Sequence, residues 1–279
     1  MPESRSSPAH PDGIETVASW LAVSRAVTVL TGAGVSTDSG IPDFRGPSGV
    51  WTTNPRAERL STLSDYLADP DVRRESWRQR RAHPAWDAGP NAAHRSLARL
   101  EDAGIVRSVV TQNIDGLHQK AGSSKVIEIH GTLWWAICLD CHVRTPMADV
   151  LARVDAGEDD PACLACGGIQ KSATISFGQS LEPDVLADAV RAAAGCDVFL
   201  AVGTTLQVHP AAGLCDVAIR AGGRLVIVNA GQTPYDERAA AVINRPIGEV
   251  LPRLAELATE TAPDGPKRPA ATPEPSPDP

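Results

Sequence analysis

A glycine-rich segment directly after an apolar run constrains this chain more than any other feature. The apolar run, residues 26–30, has the length and composition of a buried strand. Gly32-Ala33-Gly34 follows it, and glycines there let the backbone approach a pyrophosphate, whose charge is met by free N–H groups at the start of a helix. The third glycine of the hydride-transfer fingerprint would stand at position 37, where the chain has Thr37. The segment therefore predicts a parallel α/β sheet that binds a dinucleotide, and it disfavours a dehydrogenase.

Polar or glycine-rich residues also follow further apolar runs, which predict more parallel strands at 106–110, 126–129, 198–202 and 225–228. In an open parallel sheet, ligands bind beyond the carboxyl ends of the strands, so these segments should converge on one crevice with the glycine loop. The segments are Thr111-Gln112-Asn113-Ile114-Asp115-Gly116-Leu117-His118, His130-Gly131, Gly203-Thr204-Thr205-Leu206 and Asn229-Ala230-Gly231. After the glycine loop, Asp43-Phe44-Arg45 predicts a loop that folds over the bound ligand.

Four of the six cysteines form two Cys-x-x-Cys pairs, Cys138 with Cys141 and Cys163 with Cys166, separated by twenty-one residues. This spacing is typical of a site in which four thiolates hold one zinc ion. Four protein ligands fill the tetrahedral coordination of zinc, so the ion is expected to be structural and to clamp a small insert. Disulfides or idle thiols are the alternative, which the spacing disfavours.

The net charge of −8, without a basic run, argues against an electrostatic nucleic-acid binder. No apolar stretch is longer than a strand, so no membrane span is expected, and residues 1–12 lack the apolar core of a signal peptide. These observations predict a cytoplasmic protein. The proline-rich tail has almost no apolar bulk and is expected to be disordered.

Two interruptions of the strand pattern divide the chain into a sheet domain and a smaller one. We expect a Rossmann-like α/β domain of parallel strands formed by residues 13–46, 91–133 and 172–258. Residues 47–90, rich in glycine, proline and arginine, and residues 134–171, which carry the cysteines, are expected to form a small helical and zinc-binding insert domain. Residues 1–12 and 259–279 are expected to be disordered.

The motifs, taken in order, resemble those of the sirtuins over roughly residues 20–258. The resemblance rests on Gly-Ala-Gly-x-Ser with Ile-Pro-Asp-Phe-Arg, on Thr-Gln-Asn-Ile-Asp-x-Leu-His, on His-Gly, on the paired Cys-x-x-Cys, and on Gly-Thr-Thr-Leu-x-Val. It implies an NAD-dependent protein-lysine deacetylase, which transfers the acyl group to ADP-ribose and releases nicotinamide and free lysine. The implied co-substrate is NAD, the implied metal is one structural zinc ion, and the implied partners are acylated lysines in proteins.

The resemblance also implies a role for individual residues. His130 is the expected general base, because its ordinary pKa lies near neutrality and it follows a strand that ends at the cleft. Asn113 is expected at the nicotinamide ribose and Asp115, with the backbone of Ile114, at the carboxamide; these two and His130 form the catalytic set. The expected NAD contacts are Gly32, Ala33, Gly34, Ser36, Asp43, Phe44, Arg45, Gln112, Asn113, Ile114, Asp115, Gly203, Thr204, Thr205, Asn229, Ala230, Gly231 and Ile247. In this set, Ser36, Thr204 and Thr205 are assigned to phosphate.

The substrate segment departs from the family pattern. Sirtuins carry Phe-Gly-Glu after Arg-Pro or Lys-Pro, and the peptide adds to this segment as a strand. Here Lys171 is followed by serine, and Gln179 replaces the glutamate, which changes the electrostatics near the bound lysine. The expected substrate contacts are Ile175, Phe177, Gly178, Trp77 and Arg80.

The acyl group is predicted to be acetyl or another uncharged group. Sirtuins that remove succinyl or malonyl groups carry Tyr-x-x-Arg in the first insert, whereas the matching place here has Trp77 and Arg80. Arg80 could still pair with an acidic acyl group, or it could lie on a solvated helix face. A desuccinylase or another deacylase therefore stays an alternative. An ADP-ribosyltransferase on the same scaffold and an inactive NAD-sensing module are further alternatives; His130 and Asn113 argue against the inactive module.

Overall fold

The computed structural model describes residues 13–44, 46, 49–53 and 59–261, apart from the side chains of residues 51 and 53. Arg45, which was expected to contact NAD, lies outside the described residues, as do residues 1–12 and 262–279. The strands are β1 (Val27–Thr31), β2 (Val106–Thr111), β3 (Val126–Glu128), β4 (Gly131–Cys138), β5 (Arg144–Pro146), β6 (Gln170–Thr174), β7 (Val198–Val202), β8 (Arg224–Val228) and β9 (Ala241–Ile243).

Ten α-helices accompany these strands within the described ranges. They are α1 (Ile14–Val23), α2 (Val50–Thr53), α3 (Leu63–Ala68), α4 (Pro70–Arg81), α5 (Ala92–Asp102), α6 (Leu117–Lys120), α7 (Met147–Asp155), α8 (Pro183–Ala194), α9 (Leu214–Arg220) and α10 (Ile247–Thr261). Helix α10 includes the first three residues of the segment 259–279 that was expected to be disordered. No helix among the described residues is long and apolar enough to cross a membrane.

The strands form two sheets. The larger has six parallel strands in the order β3-β2-β1-β7-β8-β9, and the smaller has three antiparallel strands in the order β5-β4-β6. The predicted parallel α/β sheet with a zinc-binding insert is therefore confirmed. The boundaries expected at 133/134 and 171/172 fall inside β4 and β6.

Apolar strands buried on both faces hold the larger sheet between two layers of helices. Every residue of β1 and β7 is buried. One hydrophobic cluster joins the sheet to α1, α5 and α10, and a second joins it to α8 and α9. Full burial of a side chain such as Phe199 contributes about 1.5–3 kcal/mol. The buried strands thus form a rigid platform for the loops at their carboxyl ends.

The reversal of strand order places the ligand crevice. The chain passes from β1 outward to β2 and β3 on one side, and from β7 outward to β8 and β9 on the other. Strands β1 and β7 are therefore neighbours from which successive connections diverge, which is the topological switch point where open α/β sheets bind ligands. The glycine loop follows β1 and Gly203 follows β7, so both stand at this point.

The arginine-rich helix α4 attaches the first insert to the second. Asp69 caps its N-terminus by accepting a hydrogen bond from the Asp71 N–H at 2.9 Å. On the side facing the cysteine-bearing insert, Arg73 pairs with Asp160 at 2.7 Å and Arg74 with Asp159 at 3.2 Å. The two inserts therefore pack against each other beside the larger sheet.

Candidate active site

A cleft of about 930 Å³ opens between the carboxyl ends of the parallel strands and the smaller sheet. It brings together most of the site residues that the sequence predicts. These are Gly32, Ala33, Gly34, Ser36, Asp43, Phe44, Gln112, Asn113, Ile114, Asp115, His130, Gly203, Thr204, Thr205 and Asn229 for the nucleotide and catalytic sets, and Trp77, Arg80, Ile175, Phe177 and Gly178 for the substrate. Ala230, Gly231 and Ile247 do not line it.

The loops after β1 and β7 interlock through glycines. The Gly34 N–H donates to the Gly203 carbonyl oxygen at 2.9 Å, and a Cβ at Gly34 would lie 2.9 Å from that oxygen. Gly203 has a φ of +61°, and a Cβ there would lie 2.6 Å from the Val35 nitrogen. Side chains at either position would force the loops apart. The two loops therefore pack backbone to backbone at the switch point, where both line the cleft.

Ser36, Asn113 and Asp115 form a buried polar cluster beneath the cleft. The Ser36 hydroxyl donates to Asp115 Oδ2 at 2.7 Å and accepts from Asn113 Nδ2 at 3.1 Å. Asn113 Nδ2 also donates to the Gly32 carbonyl oxygen at 3.1 Å, which ties the cluster to the glycine loop. Since the Ser36 hydroxyl is already engaged twice, its geometry fits orientation of these two side chains better than the expected phosphate contact.

Two histidines behind this cluster stabilise the fold. His94 is fully buried and completes the capping box of α5 with Asn91. Burial lowers the pKa of His94 to about 4, although Asp115 opposes this. His118 Nε2 lies 2.9 Å from Thr31 Oγ1, and burial lowers its pKa to about 3. Both rings are therefore neutral at pH 7, and neither lines the cleft.

His130 follows β3 and precedes β4, half-buried at the wall of the cleft. Its Nδ1 lies 3.1 Å from the Gln112 carbonyl oxygen, which can only accept a hydrogen bond, so Nδ1 carries the proton and Nε2 keeps its lone pair. Burial lowers the pKa of His130, while the bond to Gln112 opposes the shift. The ring is thus neutral at pH 7 and able to accept a proton.

Gly131 explains why glycine follows this histidine. Its φ is +73°, and a Cβ there would lie 2.2 Å from the Ala173 carbonyl oxygen. Only glycine lets β6 approach so closely. As a result, the Ile175 N–H donates to the His130 carbonyl oxygen at 2.8 Å, and the substrate segment begins beside His130.

The remaining predicted nucleotide contacts lie at the rim of the cleft. Gln112 Nε2 donates to Thr204 Oγ1 at 2.9 Å, which joins the loops after β2 and β7. Phe44 is 42% exposed. Asp43 turns back to accept from the Gly46 N–H at 2.9 Å. Asn229 Nδ2 donates to the Gly231 carbonyl oxygen at 2.8 Å, which fixes the loop after β8.

The substrate segment is itself paired on one side. The Phe177 N–H donates to the Ser61 carbonyl oxygen at 2.7 Å, and the Leu63 N–H donates to the Phe177 carbonyl oxygen at 3.0 Å. Neighbouring residues of an extended segment present their backbone groups to the opposite side. On that side, the N–H and carbonyl groups of Ser176 are engaged by Gln179, at 3.2 and 3.0 Å.

Trp77 and Arg80, the two residues of the acyl motif, differ in their placement. Trp77 is 2% exposed and packs with Ala136, Met147 and Val150. Arg80 points to the cleft, and its Nη2 donates to the Ser172 hydroxyl at 3.0 Å. Burial lowers the pKa of Arg80 to about 10, although Tyr66 opposes this. The interpretation of Arg80 as part of a solvated helix face is therefore wrong.

The four cysteines fit a zinc ion. Their sulfur atoms all lie within 4.8 Å of one another, with Cys138 and Cys166 at 3.5 Å and Cys141 and Cys163 at 3.7 Å. Tetrahedral Zn–S bonds of ~2.3 Å place sulfurs ~3.8 Å apart. Backbone N–H groups of Cys141 and Asp140 lower the pKa of Cys138 to about 7. The Gly168 N–H lowers the pKa of Cys166, but the neighbouring thiols outweigh it and the pKa rises to about 12. A divalent cation bound between the sulfurs would let all four be thiolates.

Among the cleft-lining residues that were not predicted as site residues are Tyr66, Lys171 and His83. Tyr66 reaches across from α3 and donates to the Gln170 carbonyl oxygen at 2.6 Å. Lys171 is only 3% exposed. Tyr66 and His83 stand neither at a strand end nor in a spaced motif. A lysine within a segment of five polar or small residues gives no apolar signal of burial.

Glycine loops at a switch point, a neutral histidine beside them and a four-cysteine module inserted in the sheet define a nucleotide-binding α/β enzyme with a structural metal module. The chain belongs to the Sir2 family, whose model matches residues 32–210. It is 58% identical over 230 residues to NAD-dependent protein deacetylase 2 of Streptomyces coelicolor, and the match covers 82% of this chain and 95% of that protein.

Solved structures agree with this assignment. A Sir2 structure with a deacetylated p53 peptide and 3′-O-acetyl ADP ribose has a TM-score of 0.82 and 36% identity, covering 88% of this chain and 98% of that one. A Sir2 structure with a p53 peptide and NAD+ has a TM-score of 0.77 and 37% identity, covering 85% and 95%. The NAD-dependent sirtuin fold is thus shared over nearly the whole described chain.

Proposed function

We propose that this protein is an NAD-dependent protein-lysine deacetylase whose site residues act as the cleft arranges them. The observation that carries the proposal is His130, with a free Nε2 lone pair between the nucleotide loops and the start of the substrate segment. The names of the relatives, protein deacetylases among them, support this activity.

NAD supplies a ribose whose bond to nicotinamide breaks while the acetyl oxygen of the substrate lysine bonds to C1′. Gly34 and Gly203 have no side chains, so they let the diphosphate approach the loops at the switch point closely. Asn113 and Asp115, held by Ser36, orient the nicotinamide ribose and carboxamide. Nε2 of His130 accepts the proton of a ribose hydroxyl, which then attacks the acyl carbon. The C–N bond between the acyl group and the lysine then breaks, the amine leaves with a proton, and one water molecule is added, so the products are nicotinamide, free lysine and acetyl-ADP-ribose.

Phe44 and the substrate segment shape the two ends of the cleft. Phe44 lies at its rim, where it shields the ribose after nicotinamide leaves. The peptide adds as a strand to the substrate segment that contains Ile175, Phe177 and Gly178. None of the six cysteines, all within the described residues, forms a disulfide, which supports a reducing compartment such as the cytoplasm.

A deacylase for acidic acyl groups is the second candidate, and the placement of Arg80 favours it. The guanidinium lies at the cleft, and no ion pair within the described part of the chain includes it. A carboxylate could therefore bind there. Acetyl stays our preference, because Trp77 is packed in the core and offers no hydroxyl beside Arg80.

The test is product analysis by mass spectrometry after incubation with NAD and an acetyl-lysine peptide. The expected products are nicotinamide, the free-lysine peptide and O-acetyl-ADP-ribose in equal amounts. The unacetylated peptide is the matched control and should give none of them. An unchanged acetyl peptide together with ADP-ribose attached to protein would show an ADP-ribosyltransferase instead.

A further inference from the structure

Lys171 lies inside the small module and reaches the segment that binds the peptide. Its Nζ donates to the carbonyl oxygens of Ser172, at 3.0 Å, and Thr174. It also lies 3.5 Å from Gln179 Oε1. These three acceptors use all the hydrogens of an ammonium group. The contacts with Thr174 and Gln179 span the substrate segment from one end to the other.

Gln179 connects the ammonium of Lys171 to the backbone of Ser176. Its Oε1 accepts from the Ser176 N–H at 3.2 Å, and its own N–H donates to the Ser176 carbonyl oxygen at 3.0 Å. The side chain and backbone of Gln179 therefore close a turn from Ser176 to Gln179 and engage both backbone groups of Ser176. Lys171 supports this turn from the interior.

The charge of Lys171 has no carboxylate to balance it. Within the part of the chain that the structure describes, no ion pair includes Lys171, and the nearby charged group is the Arg80 guanidinium. Tyr66, from α3, is neutral, since burial raises its pKa. A neutral amide stands at position 179, beside the ammonium. A buried ammonium that has hydrogen bonds but no paired carboxylate carries a desolvation cost.

We propose that Lys171 is a positioning residue: its ammonium, acting through Gln179, holds residues 174–179 in the conformation that receives the acyl-lysine peptide. The inference rests on the proposed function, because it concerns the peptide of that reaction. Burial, with Arg80 as the second cause, lowers the pKa of Lys171 to about 8. A neutral amine has only two hydrogens to donate, so peptide binding should weaken as the pH rises through 8.

The sign of the stability change separates this role from a purely structural one. The pKa of Lys171 in the folded protein, about 8, lies below its ordinary 10.5. Between these values the unfolded chain holds the proton more tightly, so this residue adds stability as the pH rises. Weaker peptide binding at pH 9 without a matching loss of stability from Lys171 therefore indicates positioning.

The experiment measures the Kd of a fluorescent acetyl-lysine peptide by anisotropy at pH 7 and pH 9, together with the KM for peptide and for NAD. For the parent protein, the peptide Kd and KM should rise about three- to tenfold at pH 9, the scale of one hydrogen bond, while the NAD KM is unchanged. Lys171→Arg, which keeps its charge, should remove this rise. Gln179→Glu places a carboxylate beside the ammonium, raises its pKa, and should move the rise to higher pH.

Lys171→Met should bind peptide weakly at both pH values. If it does not fold, Lys171→Arg and Gln179→Glu carry the test. Equal pH profiles for the parent, Lys171→Arg and Gln179→Glu would overturn the proposal, as would normal peptide binding by folded Lys171→Met. Peptide binding is measured without turnover, so a protein that binds peptide in this pH-dependent way but releases no nicotinamide would refute the proposed function alone.

Discussion

At the scale of single residues, chemistry in this cleft depends on which groups are left free by their neighbours. The Gln112 carbonyl oxygen accepts a hydrogen bond from the Nδ1–H of His130, which leaves the Nε2 lone pair available. Asp115, Asn113 and Ser36 instead satisfy one another, which fixes their orientation before any ligand arrives. Pre-organisation of this kind lowers the cost of reaching the reactive geometry.

Replacement of His130 by alanine should lower turnover by at least ~100-fold, the usual scale for loss of a general base. Binding of NAD should stay nearly intact, because the glycine loop and Gly203 do not depend on the ring. Nicotinamide release and calorimetric NAD binding measure the two effects. Burial lowers the pKa of His130, so its ring stays neutral to a lower pH than an ordinary histidine. As the pH falls, the parent protein should therefore keep its activity until the pH is below the ordinary pKa of histidine. Near-normal turnover of the variant would remove His130 from the mechanism.

The choice of acyl group should depend little on Arg80. We expect Arg80→Ala to change turnover of an acetyl peptide less than about threefold, since it loses one contact with Ser172. Desuccinylation should be poor in both proteins, because Tyr66 donates to the Gln170 carbonyl and Trp77 is packed in the core.

Paired kinetics on acetyl and succinyl peptides measure this preference. Arg78→Ala is the matched control, since that side chain is 66% exposed on the same helix. Efficient desuccinylation by the parent that collapses in Arg80→Ala, but not in Arg78→Ala, would identify an acidic-acyl deacylase.

At the scale of elements, the smaller sheet connects the metal module to the catalytic residue. Strand β4 begins directly after His130 and ends at Cys138, and β6 leads from the second cysteine pair to the substrate segment. The zinc ion therefore holds together the far ends of the two strands whose near ends form the site. The expected effect of its loss follows from this arrangement.

Replacement of Cys163 and Cys166 by serine should release zinc and unfold the module, because metal-binding energy is folding energy in such inserts. Deacetylation should be lost with it, since β6 would no longer position the substrate segment. Zinc content per chain and activity are measured together. Cys196→Ser, which alters a buried thiol outside the cluster, is the control and should keep its zinc. One zinc ion per chain in the double variant would show that the ligand assignment is wrong.

The sequence predicts a strand well when the buried residues of that strand are apolar. Strands β1, β2, β7 and β8 were predicted to within one residue at each end. Strand β6 was not predicted, because its five buried residues are mostly polar and gain their burial through hydrogen bonds and sheet pairing. Strands β5 and β9, of three residues each, were also not predicted, whereas β3 has the same length but was predicted because Ile129 extends its apolar run.

At the scale of the whole molecule, the motifs located the cleft because parallel strands bring their carboxyl ends to one edge. Residues that reach the cleft from an insert, such as Tyr66 and Lys171, could not be found in this way. Their placement depends on how two inserts pack, which involves contacts such as that between Arg73 and Asp160. Ile247 packs on Gly203 from outside and supports the nucleotide loop rather than lining it.

The pairing of β1 with β7 has a consequence for biosynthesis. Val27 is paired with Val198. Strand β1 therefore cannot pair with β7 until most of the chain has left the ribosome. The four cysteines and the strands that carry them lie close together in sequence and can close around zinc much earlier. The nascent protein is therefore expected to bind zinc before its nucleotide site is complete. Zinc is then needed earlier than NAD in the maturation of the enzyme.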